Sequence, residues 1–511
     1  MSEESILGID IGTSATKAVL ARPDGTVIAS ARQEHAVLFP RPGWAEHDAE
    51  QTWWQDVLAV CAELVPVAEN GLRAICVSGI GPCVVPCDER LRPLRPAILY
   101  GIDTRATEEI DDLERRFGAN AILERSGSAL SSQAIGPKLL WLRQHEPDVW
   151  ERTDGWYMAS SFIVARLTGE YVLDHHSASQ CDPLYDLTVG DWAYDWAGEI
   201  APGVPLPRLV WPSDQVGAIT AAAALETGLP EGTPVVAGTI DAWAEAFSVG
   251  VRRPGDLMLM YGSTMFLIQI VEATAASPFL WTTQGVEQGT RSVAAGMSTA
   301  GSLTDWVRTL VGRPSWNELL AEATSVPAGS RGLLLLPYFA GERTPVYDPH
   351  ARGVLAGLTL RHGPGDLLRA AYEGTAFGVR QILALFAQMT GPPRRVVAVG
   401  GGTASDLWLQ IVSDVTGVTQ EVPEQTIGAS YGDALLAAIG VGLVPPDTDW
   451  SKTKLNVVPA STPHKLYDAL FELYSRLYVE TAETVHRLSA LAEEPPRRDS
   501  ALNEGGRLID A

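Results

Sequence analysis

Apolar residues bunch in short runs over the first 35 positions, and turns separate them. Ile6 to Ile11 is one run and Lys17 to Ala21 a second; after Pro23-Asp24-Gly25-Thr26, a strong turn signal, Val27 to Ala31 is a third. The pattern predicts strand, turn, strand, turn, strand. The period then changes: in "DAEQTWWQDVLAVCAELV" the apolar residues recur at helical spacing, with Asp48 placed as an N-cap. "AICVSGI" and "LRPAILY" read as short strands. From about 105 to 200 the segments "ATEEIDDLERRFG", "GPKLLWLRQHEPDVW" and "SSFIVARLTG" read as helices between loops, an insertion on an α/β core. "TPVVAGTIDAWAEAFSVGV" returns to strand, loop, helix.

The second half repeats the opening design. "LMLMYGSTMFLIQIV" runs an apolar strand into Gly262-Ser263-Thr264 and out into another, about 250 residues after the first hairpin. Two related cores follow, with a boundary near Gly250–Asp256. "GLLLLPYFAGERTP" leads to a helix from about Gly365 to Met389, then to the strand "RRVVAVGGG" and the helix "SDLWLQIVSDVTG". "YGDALLAAIG" and "PHKLYDALFELYSRLYVETAETVHRLSAL" are later helices. The expected division is an N-terminal domain over 1–250, a C-terminal domain over 251–445, a helical segment over 446–490 and a disordered, Pro- and charge-rich tail over 491–511.

Length and composition agree. At 511 residues the chain exceeds one core, and 46% hydrophobic with 20% charged residues is ordinary for a globular protein. The net charge of -24 argues against nucleic acid or an anionic membrane as partner. It leaves a small anionic ligand open. The five cysteines are few and odd in number, which suits a reducing compartment and predicts a cytoplasmic protein. Cys76, Cys83 and Cys87 lack a second Cys/His pair at finger-like spacing, and no apolar stretch approaches the roughly 20 residues of a spanning helix. "MSEES" has no basic n-region, so no signal peptide is read.

Asp10 is the first anomaly: a carboxylate closes an apolar strand just before Gly12-Thr13-Ser14. Such a turn offers backbone N–H groups and two hydroxyls to phosphate oxygens, and Gly12 admits close approach. An acid beside a phosphate cradle makes sense if Mg²⁺ sits between them, with Lys17 adding positive charge. The same residues also read as an edge-strand Asp capping its own turn. Gly262-Ser263-Thr264 offers a facing cradle. Gly400-Gly401-Gly402-Thr403, between a strand and a helix, adds a third element at a helix N-terminus.

In this order the motifs resemble the FGGY family of carbohydrate kinases, within the actin-like ATPase fold. The resemblance spans about 5–445 and rests on "GIDIGTSATK", "GWAEHDAEQTWW", "LRPAILYGIDTRA", "PKLLWLRQHEP", "GTIDAWAEAFSVGV", "GVLAGLTLRHGPGDLLRAAYEG" and "VAVGGGTASDLWLQIVSDVTG". It implies a two-domain α/β, ribonuclease H-like architecture with Mg-ATP in an interdomain cleft. Asp10 takes the place near Mg²⁺, Gly12, Thr13 and Ser14 the first phosphate loop, and Gly262 and Ser263 the second. Gly301 and Asp305 approach the nucleotide; Gly401, Gly402 and Ser405 or Asp406 meet the adenosine. Asp241 takes the place of the catalytic base.

The sugar site departs from the pattern. Xylulose kinases carry Gly-Gln-Met-His where this chain has Gly79-Ile80-Gly81-Pro82, and the glycerol kinases' Arg-Glu pair is also absent. Asp103 and Arg105 stay as candidate hydroxyl-binding groups, with a helix cap and ion pair as the alternative; Gln133 faces the substrate in the family, but Ile135 departs from it. His175-His176 beside Asp174 reads as a loop contact or as solvent-exposed, not as a metal site. The implied reaction is ATP-dependent phosphorylation of a sugar hydroxyl, with ketopentoses such as xylulose or ribulose leading and erythritol or a pentitol following. An actin-like ATPase without sugar kinase activity is the rival class. A homodimer is compatible with either.

Overall fold

Each half of the chain is built on a mixed sheet whose central strand opens an antiparallel hairpin. The computed structural model describes residues 4–68, 71–273, 276–460 and 463–493. The first sheet runs, edge to edge, Gln215–Ala218, Pro234–Val236, Leu72–Gly79, Ser5–Ile11, Ala15–Ala21 and Val27–Glu34. Ser5–Ile11 pairs antiparallel with Ala15–Ala21 on one side and parallel with Leu72–Gly79 on the other. Its seven residues are all buried, so the strand reads as a continuous apolar run rather than an alternating one.

The second sheet repeats this order: Trp281–Gln284, Arg291–Met297, Met265–Val271, Asp256–Tyr261, Arg395–Val399, Gln420–Pro423 and Thr453–Val457. Asp256–Tyr261 again pairs antiparallel with its hairpin mate and parallel with a later strand, Arg395–Val399. The two predicted hairpins thus hold equivalent places. The 446–490 segment, expected to be helical, also supplies the edge strand Thr453–Val457 before the helix His464–Glu493. Tyr467 and Tyr474 of that helix are buried in the second domain's core, which fixes it there. Of the expected tail, 494–511 lie outside the described residues.

Asp48 caps its helical segment as read, accepting from Glu50 N and Gln51 N at 3.0 and 2.9 Å. Trp53 and Trp54, from "TWWQD", are fully buried in the first core. Between the sheets lies a third apolar cluster, to which both contribute. Two helices fill it, Asp241–Ser248 and Ala429–Gly440. They touch backbone to backbone: a Cβ on Gly432 would stand 2.0 Å from the Ala244 carbonyl oxygen. The Ala429 helix also lies directly on the first sheet, where a Cβ on Gly8 would stand 1.9 Å from Ser430 O. Glycine is needed at both places for want of space.

Asp433 locks the same joint. It is fully buried, and Ser78 Oγ on strand Leu72–Gly79 donates to its Oδ2 at 2.6 Å. Burial, with Asp10 and Asp241 nearby, pushes its pKa well above the usual carboxylate value, against the Ser78 hydrogen bond.

Candidate active site

The hairpin Ser5–Ala21 ends in a tight turn, closed by Gly12 N donating to Ala15 O at 3.0 Å. A Cβ on Gly12 would meet that oxygen at 2.9 Å. The turn is braced from below: His35 Nε2 lies 3.0 Å from Gly12 O and His35 Nδ1 2.6 Å from Asp56, which also accepts from Thr16 Oγ1 at 2.9 Å. Thr13 Oγ1 and Tyr100 OH are 3.0 Å apart. The turn is therefore a rigid rim, and it borders a cavity of about 440 Å³ between the two halves of the chain.

Asp10 and Lys17 are direct cross-strand partners just behind that rim, so both side chains leave the same face of the sheet. Lys17 Nζ is 4.0 Å from Asp10 Oδ2. Asp10 is 4% exposed, and its Oδ1 has no hydrogen-bond partner among the described residues. Asp241 faces it from the first turn of its helix, its Oδ1 accepting from Ala242 N at 2.7 Å. Glu245 follows one helical turn later on the same wall. Burial raises all three carboxylates above their usual range; Asp241 and Glu245 push Asp10 further up, and Lys17 pulls all three down. Glu245 is raised to about 7.

Three carboxylates sharing one lysine, with one buried oxygen left unpaired, suit a divalent cation. Among the described residues no three ligating side chains come close enough to hold a metal directly. The fit is therefore to a hydrated ion that keeps several waters and shares a phosphate, which is how Mg²⁺ usually binds.

The residues expected to meet the nucleotide gather on the second domain. The Gly262–Thr264 turn packs on the N-terminus of the helix Gly301–Leu310: Gly301 N donates to Gly262 O at 3.0 Å, and Ala300 N to Ser263 O at 2.9 Å. Thr264 of that turn lines the cavity. Gly400–Gly402 abut the same strand end. A Cβ on Gly402 would stand 2.8 Å from both the Trp408 ring and Tyr261 Cβ, whereas Gly401 faces open space. Ser405 Oγ accepts from Trp408 N at 3.3 Å, so this hydroxyl caps the helix Asp406–Thr416. Asp305 is exposed, 3.8 Å from Arg308.

Of the expected acceptor residues, Gly81 and Gln133 line the cavity, and Pro82 sits just behind Gly81 without lining it. Asp103 and Arg105 do not line it. Arg105 Nη2 donates to Asp103 Oδ2 at 2.6 Å, and Asp103 also accepts from Ala45 N at 2.7 Å. Arg105 Nη1 is 2.8 Å from Glu46, and its Cζ lies 3.9 Å from the Trp44 ring centroid. Both side chains are buried and paired with each other, as the ion-pair alternative has them. His176 is also buried, its Nδ1 2.7 Å from Gln284 O and its ring 4.3 Å from that of Trp243; it is a contact between segments.

The sequence reading missed several cavity residues: Tyr100, Glu245, Phe266, Trp281 and Arg343. Glu245 carried a signal, four positions after Asp241 on a helix. Phe266, Trp281 and Arg343 come from the second domain and reach the cavity through tertiary folding alone.

Comparison with known proteins agrees with this arrangement. Residues 5–248 match the N-terminal domain, and 257–441 the C-terminal domain, of the FGGY family of carbohydrate kinases. The chain is 30% identical to the xylulose kinase of Escherichia coli, over 85% of its own length and 89% of that protein's. It is also 30% identical to the glycerol kinase of Alkalilimnicola ehrlichii, over 86% and 91%. The crystal structure of xylulose kinase from Rhodospirillum rubrum superposes with a TM-score of 0.88 at 34% identity, covering 95% of this chain and all of that one. A two-domain actin-like fold, a carboxylate-lined cleft between its halves and family matches in both halves lead to one assignment: the chain belongs to the FGGY family of carbohydrate kinases.

Proposed function

We propose that this kinase transfers the γ-phosphoryl group of Mg-ATP to a hydroxyl of a ketopentose such as xylulose, with Asp241 as general base. One observation carries the reading. Asp241 stands in a single cavity between the Gly12–Ser14 turn, built to receive phosphate oxygens, and a wall formed by Tyr100, Gly81 and Gln133.

Gly12, Thr13 and Ser14, with Gly262 and Ser263 opposite, position the phosphates; Gly301, Asp305, Gly401, Gly402 and Ser405 lie toward the rest of the nucleotide. Asp10 would hold Mg²⁺ through water, and the metal would neutralise charge on the transferring group. Asp241 accepts the hydroxyl proton as the new bond forms. Its Oδ1 is tied to the helix's own Ala242 N–H, which leaves Oδ2 for the acceptor. Closure of residues 1–250 on 251–445 would exclude water from the cleft. The five free, buried cysteines suit a reducing, cytoplasmic setting.

Xylulose leads because relatives named xylulose kinase match nearly the whole chain. Ribulose, erythritol or a pentitol is the second reading, favoured by Gly81-Pro82, which removes a polar arm from the acceptor wall.

The test is ADP release with Mg-ATP across D-xylulose, L-xylulose, D- and L-ribulose, glycerol, erythritol, pentitols and gluconate, with Asp241→Asn alongside. The expected result is release that depends on one acceptor, on added Mg²⁺ and on Asp241. Release indifferent to every acceptor would leave an actin-like ATPase and overturn the reading.

A further inference from the structure

Phosphoryl transfer as described gives no task to Arg343, although it lines the same cavity from the second domain. Its guanidinium is anchored. Nη2 donates to the Met297 carbonyl at 2.8 Å and passes over Gly296, where a Cβ would stand 3.1 Å from that nitrogen. Cζ lies 5.7 Å from the centroid of the Trp281 ring. Nε is buried with no hydrogen-bond partner among the described residues.

The neighbouring Glu342 balances part of the guanidinium charge, but its Oε2 is buried without a hydrogen-bond partner among the described residues and its Oε1 is held by backbone. Glu342 Oε1 accepts from the backbone N–H groups of Ser298 and Arg343, at 2.8 and 2.7 Å. The result is a desolvated cation, held in place, with donors to spare. Its location within the cavity is also defined. Tyr100 lines the same cavity, and its hydroxyl feels the charge of both Asp241 and Arg343. Arg343 enters the cavity from the second domain and Asp241 from the first.

We propose that Arg343 is a specificity-determining residue: it donates to an sp² oxygen, a keto or carboxylate oxygen, of the acceptor at a position other than the hydroxyl that Asp241 deprotonates. A guanidinium has donors only, so an oxygen that only accepts completes it better than a hydroxyl does. A polyol offers no such oxygen and leaves a buried donor poorly matched, the situation in which a polar site discriminates strongly. The anchoring by Met297, Gly296 and Trp281 means that little side-chain freedom is lost on binding. This inference rests on the kinase reading above and names the acceptor class within it.

The test compares wild type, Arg343→Gln and Arg343→Lys as full-length proteins with saturating Mg-ATP and three acceptors: D-xylulose (keto), D-gluconate (carboxylate) and xylitol (neither). Wild type should prefer D-xylulose or D-gluconate over xylitol by about 100-fold or more in kcat/KM, and which of the two leads identifies the oxygen. Arg343→Gln should raise the KM for that acceptor by roughly 10- to 100-fold with the KM for ATP unchanged, and Arg343→Lys should recover part of the loss. Xylitol turned over as well as the better of the others would overturn the proposal. So would a rise in the KM for ATP alone, which would put Arg343 on the nucleotide. If no acceptor stimulates ADP release, the kinase reading fails instead, and calorimetric titration with the same three compounds decides the site. Binding of D-xylulose or D-gluconate that is lost in Arg343→Gln upholds it; equal binding of all three, or of none, overturns it.

Discussion

Trp243 Nε1 donates to Ser292 Oγ at 2.8 Å, joining the Asp241 helix of the first domain to strand Arg291–Met297 of the second. Both groups are buried, and Trp243 stands two positions from Asp241. Ser292 Oγ also lies 2.6 Å from Thr283 Oγ1, so the hydroxyl orders two strands and one helix at once. Ser292→Ala strands the indole N–H and the Thr283 hydroxyl. The urea midpoint should fall by the equivalent of about 1–3 kcal/mol with the m-value unchanged. An unshifted midpoint would mean that the joint is held by packing alone.

The acid limb of the pH–rate profile should belong to Asp241. Burial raises its pKa, and the Ala242 N–H and then Lys17 lower it, so kcat/KM should climb with pH through a range above that of an ordinary carboxylate. Removing the cation in Lys17→Met should move that limb to higher pH, because only the Ala242 N–H then offsets burial. Asp241→Asn should lose about 10²–10⁴-fold in kcat and have no acid limb. A Lys17→Met limb that moves to lower pH would assign it to another group.

Much of this architecture was legible in the chain because it is local. Both hairpins follow from short apolar runs broken by turns and the Asp48 cap from its place before a run at helical spacing; the structure places them as read and makes Asp10 and Lys17 cross-strand partners. Asp103 and Arg105 could be read two ways because two residues that pair with each other look, in sequence, like two residues that await a ligand. Asp433 drew no attention inside the apolar helix "YGDALLAAIG": its partner Ser78 is 355 positions away. The acceptor wall was the least legible part, since Tyr100 and Arg343 meet there only after two domains have folded and docked. Local chemistry is written in neighbouring residues; a shared cleft is not.

The helix joint should be intolerant of a single methyl group. Gly432→Ala drives a Cβ to 2.0 Å from Ala244 O, which only separation of the two interdomain helices can relieve. The cost should be about 1–3 kcal/mol or more, seen as a lower melting temperature, and activity should fall because the Asp241 helix is displaced. Gly198→Ala is the matched control: it lies on the helix Tyr194–Ile200 with nothing within 4 Å of a new Cβ. That variant should be neutral or slightly stabilised, as alanine suits a helix better than glycine. Equal melting temperatures for the two variants would show that the joint has slack.

Glu245 should make the free protein less stable as pH rises. Its pKa is raised on folding, chiefly by burial and then by Asp241, from 4.5 to about 7. The folded state therefore binds the proton more tightly, and that contribution is fully present below about 4.5 and lost as pH climbs through about 7. Glu245→Gln keeps the shape and removes the titration. In urea unfolding without nucleotide or Mg²⁺, the variant should match wild type near pH 5 and exceed it at pH 8 by something on the order of 1–3 kcal/mol. Adding Mg-ATP should shrink that advantage, because a cation near Asp10 relieves the same repulsion in the wild type. A variant less stable than wild type at pH 8 would mean that Glu245 is ionised and paired in the folded protein, and the charge balance of the cleft would have to be redrawn around it.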